Sequence, residues 1–220
     1  QIIFTGYDAT FGYGLWVSDG TAAGTQPVFA NNSTAIRPTE VESLTVYDGK
    51  VYFAAETSNT GEELWVTDGT EDGTEMLEEI YPGDTGSISS LTGTPLGLFF
   101  EAKDENAGDE PHWFDGATIQ LLDDVRDNGF SNPYGFVTLD ELVCYAADTN
   151  ENGEEVHCTD TTTLETTMLK DIAEGYRDSA PKALVATENY IYFFARNADR
   201  IYHLWRTDGS PEGTTQVFED

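Results

Sequence analysis

One phrase recurs along this chain and constrains its fold more than any other feature. It reads GLWVSDGTAAGT from Gly14, ELWVTDGTEDGT from Glu63 and HLWRTDGSPEGT from His203. Aromatic anchor residues recur with it at separations of 49, 47, 45 and 48 residues, namely Phe4, Phe53, Phe100, Tyr145 and Phe193. Twelve residues after each anchor stand Trp16, Trp65, His112, His157 and Trp205. Self-similarity at this period indicates an array of equivalent structural units.

Each unit is predicted to contain four short β-strands. In the second unit these are residues 43–49, 51–56, 63–68 and 75–80. The Asp48-Gly49 pair favours a tight hairpin turn between the first two strands. The DGTxxGT phrase then connects the third strand to the fourth, with Gly69 and Gly73 supplying conformations that other residues resist. Its repetition is therefore structural.

The register of the central hairpin follows from the fourth unit. If Asp148 and Glu154 close the loop, Tyr145 faces His157 and Cys144 faces Cys158. The same register pairs every anchor with its Trp or His partner and leaves apolar pairs on the other side of the sheet as well. A half-exposed antiparallel sheet would instead alternate apolar with polar residues. Small sheets buried on both faces are typical of propeller blades.

The sequence therefore predicts an all-β fold, a five-bladed β-propeller of about 47-residue four-stranded repeats. We expect one domain over residues 1–220, with blade units at about 1–35, 36–83, 84–128, 129–175 and 176–220. Five repeats are recognised, but only four of them have a first strand. Five full repeats would need about 235 residues, which is about one strand more than the chain has. A ring with one three-stranded blade, a strand supplied by a partner, or a longer array would each account for this. An unpaired edge near residues 1–8 or 216–220 is predicted to make an inter-chain or inter-domain contact.

The repeated phrase also carries a resemblance. It matches at Leu15-Trp16 with Asp19-Gly20-Thr21, at Leu64-Trp65 with Asp68-Gly69-Thr70, and at Leu204-Trp205 with Asp208-Gly209-Ser210. On these residues the chain resembles hyalin-like extracellular β-propeller proteins with ELWxxDGTxxGT repeats. The resemblance implies a secreted or cell-surface location and brings no catalytic residues. The third and fourth units depart from the pattern, with His112 and His157 in the Trp position.

The charge excludes two classes of partner. The formal net charge is −31, from 10 basic and 41 acidic residues. Nucleic acids and anionic lipids are bound by neutralising phosphates with Lys and Arg, so we expect no nucleic acid partner. No apolar run reaches the roughly 18 residues of a membrane span, so no membrane insertion is expected. Such acidity suits a salty environment, cation binding or basic partners.

A start at Gln1 suggests a processed chain or part of a longer one.

Cys144 and Cys158 are the two cysteines of the chain. Directly opposed residues on antiparallel strands lie about 4.5–5.5 Å apart at Cα, which is within disulfide range. We predict a disulfide and therefore an oxidising compartment, with two buried thiols as the alternative. The overlapping sequons of the NNST segment, residues 31–34, add slight support for secretion.

Calcium is the candidate cofactor. The hairpin loop of the fourth unit carries oxygen ligands at alternating positions, Asp148, Asn150 and Asn152, followed by Glu154. Asp104 and Asn106 form a looser version in the third unit. The alternative is acidic loops with Asx turns. His112 and His157 are expected to be core imidazoles, with a metal site as the alternative.

The function predicted from these features is a non-catalytic extracellular binding or scaffold module for protein–protein assembly. The candidate contact surface comprises loop aromatics, namely Tyr81, Phe130, Tyr134 and Tyr176. A glycan-binding, lectin-like propeller and a glycosidase-like hydrolase are the alternatives. Glycosidases need two carboxylates about 5–9.5 Å apart, and the predicted inner strands carry almost none. The chain itself is therefore expected not to be an enzyme.

Overall fold

The fold is built from β-strands. A computed structural model describes residues 1–9, 12–29, 39–57, 60–82, 87–104, 107–127 and 129–218, without the side chains of residues 39, 40 and 104. Over those ranges every regular element is a β-strand. A helix long and apolar enough to cross a membrane is not found among them.

The described part of the chain contains nineteen strands. They are β1 (Ile2–Asp8), β2 (Gly12–Ser18), β3 (Gln26–Pro27), β4 (Thr39–Tyr47), β5 (Lys50–Glu56), β6 (Glu62–Thr67), β7 (Glu75–Glu78), β8 (Ile88–Thr94), β9 (Gly97–Asp104), β10 (Gly108–Phe114), β11 (Ile119–Leu121), β12 (Tyr134–Leu139), β13 (Leu142–Thr149), β14 (Gly153–Asp160), β15 (Thr166–Met168), β16 (Lys182–Ala186), β17 (Ile191–Arg196), β18 (Tyr202–Thr207) and β19 (Thr215–Gln216).

The strands form five antiparallel sheets in which neighbours in sequence pair with each other. The sheets are β1–β3, β4–β7, β8–β11, β12–β15 and β16–β19, so the first has three strands in the described residues and the others have four. The expectation that one repeat lacks a strand and the other four have four strands agrees with these sheets. The architecture is β-propeller-like.

The predicted hairpin register is confirmed in all five sheets. Phe53 lies opposite Trp65, and the corresponding pairs in the other sheets are Phe4 with Trp16, Phe100 with His112, Tyr145 with His157 and Phe193 with Trp205. The other sides pair as expected too, for example Tyr52 with Val66. The prediction succeeded because a strand has a side-chain period of two, so one correct pair determines all the others.

The sheets pack face to face in chain order. We call the side of each sheet that carries the anchor pair its anchor face, and the other side its reverse face. Tyr52 and Leu64 on the second sheet's reverse face pack against Phe100 and Leu98 on the third sheet's anchor face. Equivalent apolar clusters join the first sheet to the second, the third to the fourth and the fourth to the fifth. Burying a large apolar side chain contributes about 1.5–3 kcal/mol, so these four interfaces hold the array together.

Two faces at the ends of the array lack such a cluster. The anchor residues of the later sheets are buried, whereas Phe4 and Trp16 on the first sheet remain partly exposed. On the reverse face of the fifth sheet, Phe194 is 42% and Val185 is 57% exposed. Among the residues that the structure describes, no apolar cluster joins the fifth sheet back to the first.

Loops gather at two opposite ends of the sheets. We define the entry end as the end where the first strand of a sheet begins. It contains the central hairpin loops, such as the one between β13 and β14, and the connections into β12 and β16. Hydrogen bonds tie these segments together. For example, the backbone amide of Ser179, in the connection into β16, donates to the carbonyl of Glu154 in β14 at 3.0 Å. Residues from different repeats therefore meet at the entry end.

The DGTxxGT phrase is a capped turn at the opposite end. The Asp68 carboxylate accepts hydrogen bonds from the backbone amide and the hydroxyl of Thr70, at 2.9 and 2.7 Å. Gly69 has a φ of 92°, which favours glycine, as predicted. Gly73 acts differently from that prediction. A Cβ atom there would lie 2.2 Å from Asp68 Oδ1, so close approach to the carboxylate excludes larger residues.

We expect Gly73→Ala to destabilise the protein by about 1–3 kcal/mol, because the added methyl group overlaps the capping carboxylate. In an Asp68→Ala background the same substitution should cost much less, since the clashing group is gone. Urea unfolding of the four proteins of this double-mutant cycle measures the difference. Equal costs in both backgrounds would show that the clash with Asp68 is not the reason for glycine.

Candidate functional site

Three buried glutamates connect each middle sheet to the next one. Glu63, Glu110 and Glu155 are all 0% exposed and lie two residues before Trp65, His112 and His157. The Glu63 carboxylate accepts a hydrogen bond from the Ile80 amide at 2.8 Å. Each carboxylate thus receives donors from the connection that leads into the following sheet.

Glu110 and Glu155 share a second partner, a serine just before the next sheet. The Ser131 hydroxyl donates to Glu110 at 2.6 Å, and the Ser179 hydroxyl donates to Glu155 at 2.6 Å. The Ile172 backbone amide donates to Glu155 as well, at 3.0 Å. These bonds satisfy polar groups that would otherwise be buried without partners.

Burial shifts the acidity of these glutamates. Loss of water contact raises the pKa of Glu110 to about 7 and the pKa of Glu155 to about 8, although the hydrogen bonds act in the opposite direction. The pKa of Glu63 is raised for the same principal reason. Carboxyls with raised pKa values are candidates for acid–base catalysis. A substrate cannot reach these three, however, and their repetition in three sheets indicates a structural role.

The two histidines that replace tryptophan lie in the core. Nδ1 of His112 is 3.0 Å from the Glu110 carbonyl oxygen, and Nδ1 of His157 is 3.2 Å from that of Glu155. Burial lowers the pKa of His157 to about 4, so its imidazole is neutral at pH 7. In the described part of the chain, no group of three or more His, Cys, Asp or Glu residues is arranged to hold a metal ion.

The predicted disulfide between Cys144 and Cys158 is present, with the two Cα atoms 4.1 Å apart. It joins β13 and β14 on the reverse face of the fourth sheet and packs against the fifth sheet. The crosslink closes a short loop, which stabilises the fold by about 3 kcal/mol in the chain-entropy model.

The predicted calcium loop is organised around an arginine. The Arg126 guanidinium pairs with Asp148, and its Nε donates to Asn150 Oδ1 at 3.0 Å. The side-chain amide of Asn152 donates a hydrogen bond to the Asp171 carboxylate at 3.0 Å. The Glu154 carboxylate accepts one from the Tyr134 hydroxyl at 2.5 Å. The four proposed ligands therefore have three different sets of partners, and an arginine supplies the positive charge.

The looser calcium loop lies largely outside the described residues. Asn106 is not among them, and of Asp104 only the backbone is described, as the last residue of β9. Calcium at this loop remains a prediction from the sequence.

The four loop aromatics do not share one environment. Tyr176 is 87% and Phe130 is 51% exposed. The Lys103 ammonium lies 4.6 Å above the Tyr81 ring. Tyr134 is half-buried, and its single hydroxyl proton is shared between the Glu154 carboxylate and the Pro181 carbonyl, so it ties the fourth sheet to the fifth. Only two of the four, therefore, offer a largely open ring to a ligand.

Sequence reasoning missed the buried glutamates, although a signal was present. The pattern Glu-x-Trp or Glu-x-His repeats in the middle units as ELW, EPH and EVH. A charged residue inside an apolar strand at the same place in three repeats indicates a buried, hydrogen-bonded group.

Comparisons with known proteins identify the fold. No protein-family profile matches the sequence, and no curated protein is significantly similar to it. A prolyl endopeptidase structure is similar with a TM-score of 0.63, 14% identity, and coverage of 99% of this chain and 33% of that one. A puromycin hydrolase is similar with a TM-score of 0.61 and 15% identity, and the match covers 94% of this chain and 33% of that one. A puromycin-hydrolysing peptidase from Mycobacterium tuberculosis has a TM-score of 0.59 and 12% identity, and the match covers 94% of this chain and 33% of that one. The chain thus spans about a third of the length of these solved chains.

These comparisons correct the expected function. The expected non-catalytic assembly scaffold was wrong, because these three similar structures belong to hydrolases and peptidases. The error came from taking the lack of paired carboxylates near the axis as evidence against any link to catalysis. A propeller can accompany a reaction without supplying the reacting groups. At these identities the likeness establishes the fold, a β-propeller-like array of antiparallel sheets.

We expect thermal stability to fall as the pH rises from about 4.5 towards 8. Burial raises the pKa of Glu155 to about 8, so the folded state holds a proton that the unfolded chain has lost. Glu155→Gln should flatten this decline, since an amide does not titrate. Melting temperatures between pH 5 and pH 8 measure the effect.

The matched control is Glu188→Gln, which removes an exposed carboxylate of the same type. It should retain the decline of the native protein, including any part caused by the growing net negative charge. An identical pH profile for Glu155→Gln and the native protein would contradict the assignment of this proton to Glu155.

Proposed function

We propose that this chain is the propeller unit of a peptide-hydrolysing enzyme whose reacting groups lie on a separate unit. One observation carries the proposal. The similarity covers 94–99% of this chain but about a third of the hydrolase and peptidase chains, so it concerns a module of those proteins. The module's role is to present loops that control which substrates reach the catalytic unit.

The side chains of the module support a role without direct chemistry. Its buried acids Glu110 and Glu155 are engaged with serines and backbone amides, and its core histidines face carbonyl oxygens. A nucleophile, its base and an orienting group must lie within hydrogen-bonding reach and be open to the substrate. Groups this deep in the core serve the fold instead.

We further infer that the five sheets are blades arranged around one axis, each repeat being about 47 residues long. The recurrence of one type of interface four times supports this, because a constant rotation between neighbours produces a ring or an arc. The partly exposed anchor face of the first blade and the reverse face of the fifth are the surfaces where the rest of such a hydrolase makes contact.

The disulfide supports a location outside the reducing cytosol. Disulfides persist in secreted, periplasmic and cell-surface proteins, where the environment is oxidising. An enzyme that works there and hydrolyses peptides would act on extracellular or imported substrates.

The test uses the native polypeptide, captured from its source with an antibody raised against these 220 residues. We expect it to cleave fluorogenic short peptides. The activity should stay with the polypeptide that contains this module, or with one that remains bound to it through purification.

The recombinant 220-residue chain is the control and should show no turnover. Native material without peptide hydrolysis would rule the proposal out. Turnover by the isolated chain would show that the catalytic groups lie within the module.

A further inference from the structure

A cavity at the entry end of the fifth sheet has an unusual lining. Its volume is about 210 Å³, and it lies between the connection into β16 and the loop that joins β17 to β18. Arg177, Arg196 and Arg200 line it, with Asp178 as the one carboxylate of the lining. Three arginines in the lining of one small cavity are a local concentration of positively charged residues.

This concentration is unexpected for so acidic a chain, which has 10 basic and 41 acidic residues. Arg196 is paired, since its Nε donates to the Asp178 carbonyl at 2.9 Å and its Nη2 lies 3.9 Å from the carboxylate. The side chains of Arg177 and Arg200 make no hydrogen bond or ion pair with any described residue. Two arginines whose side chains have no partner among the described residues thus line the same cavity.

The backbone holds both unpaired arginines in place. Arg177 lies against Gly153, where a Cβ atom would be 2.7 Å from the Arg177 carbonyl carbon. Arg200 has a φ of 63°, which is uncommon for a long side chain. Its turn is stabilised by Asn197, whose Oδ1 accepts the backbone amides of Asp199 and Ile201 at 3.0 and 3.2 Å. The local backbone is therefore constrained at both arginine positions.

Guanidinium groups recognise oxyanions through two parallel N–H donors, a geometry that suits carboxylates and phosphates. We propose that this cavity binds an oxyanion group, a carboxylate or a phosphate, through Arg177 and Arg200, with Arg196 as the third cation. The exposed Tyr176 ring at its rim offers a surface for the rest of the ligand. The inference does not depend on the proposed hydrolase function.

The ligand must be held by short-range contacts. A net charge of −31 repels anions at a distance, so a diffuse surface attraction is absent. Arg177 and Arg200 are exposed, so salt screens their attraction to an anion. Binding should therefore weaken as the ionic strength rises.

The experiment is a titration of the 220-residue chain followed by calorimetry and by the NMR signals of the arginine Nε–H groups. The probes are sodium phosphate, sodium acetate, and one short peptide in its free-acid and its C-terminally amidated forms. We expect the Arg177 and Arg200 signals to shift. Binding of the free acid but not the amide would identify a chain-terminal carboxylate as the group, and binding of phosphate alone would identify a phosphate ester.

Two variants remove the proposed anion-binding groups without disturbing the turn. Arg177→Gln keeps a polar side chain but removes the charge, and Arg200→Asn provides a residue that tolerates a positive φ. The double variant should bind at least about tenfold more weakly, the value of one lost charge-assisted hydrogen bond. Arg206→Gln is the matched control, because it removes an exposed arginine that stacks on Tyr190 outside this cavity. It should bind like the native chain.

Three results would overturn the proposal. One is that no arginine Nε–H signal shifts with any of the four probes up to roughly 10 mM, a concentration above the dissociation constants of most specific sites. Another is native affinity in the double variant, or in both single variants if the double variant fails to fold. The last is an equal loss in Arg206→Gln, which would indicate a general effect of net charge.

Discussion

Burial of both faces of each small sheet is the constraint on which this structure depends. A four-stranded sheet with Phe53 and Trp65 on one side and Tyr52 and Val66 on the other cannot leave either side in water. Stacking the sheets in sequence order solves the problem for neighbours, because the reverse face of one covers the anchor face of the next. The same constraint makes the two end faces stand out, since their apolar residues are still partly in contact with solvent.

The connections between sheets depend on a second, polar interaction. Backbone amides in a buried connection need acceptors, and a carboxylate can serve several of them at once. Glu110 and Glu155 do this for the connections into β12 and β16, and the adjacent serines complete the networks. Burial raises their pKa values, so these networks contain groups that titrate near neutral pH.

Charge is distributed unevenly over this acidic molecule. Arg126 neutralises Asp148 in the hairpin loop that was predicted to bind calcium, and three further arginines surround the cavity beside the next loop. These four arginines therefore lie where loops of neighbouring repeats meet. In a hydrolase propeller, loops at one end of the blades are well placed to select ligands by charge, and this links the proposed function to the proposed oxyanion site without making either depend on the other.

The sequence by itself determined the repeat, the strand order and the hairpin register, including the disulfide between Cys144 and Cys158. These are local properties, because a period of two along each strand and a fixed offset within each repeat carry all the information. Only the tertiary structure decided which acids are buried, which aromatics are open and which cations face the same cavity. Arg177 lies in the connection into β16 and Arg200 in the loop between β17 and β18. The sequence alone does not indicate that these two residues line the same cavity. The packing of sheets brings such residues together, and that packing depends on the whole array.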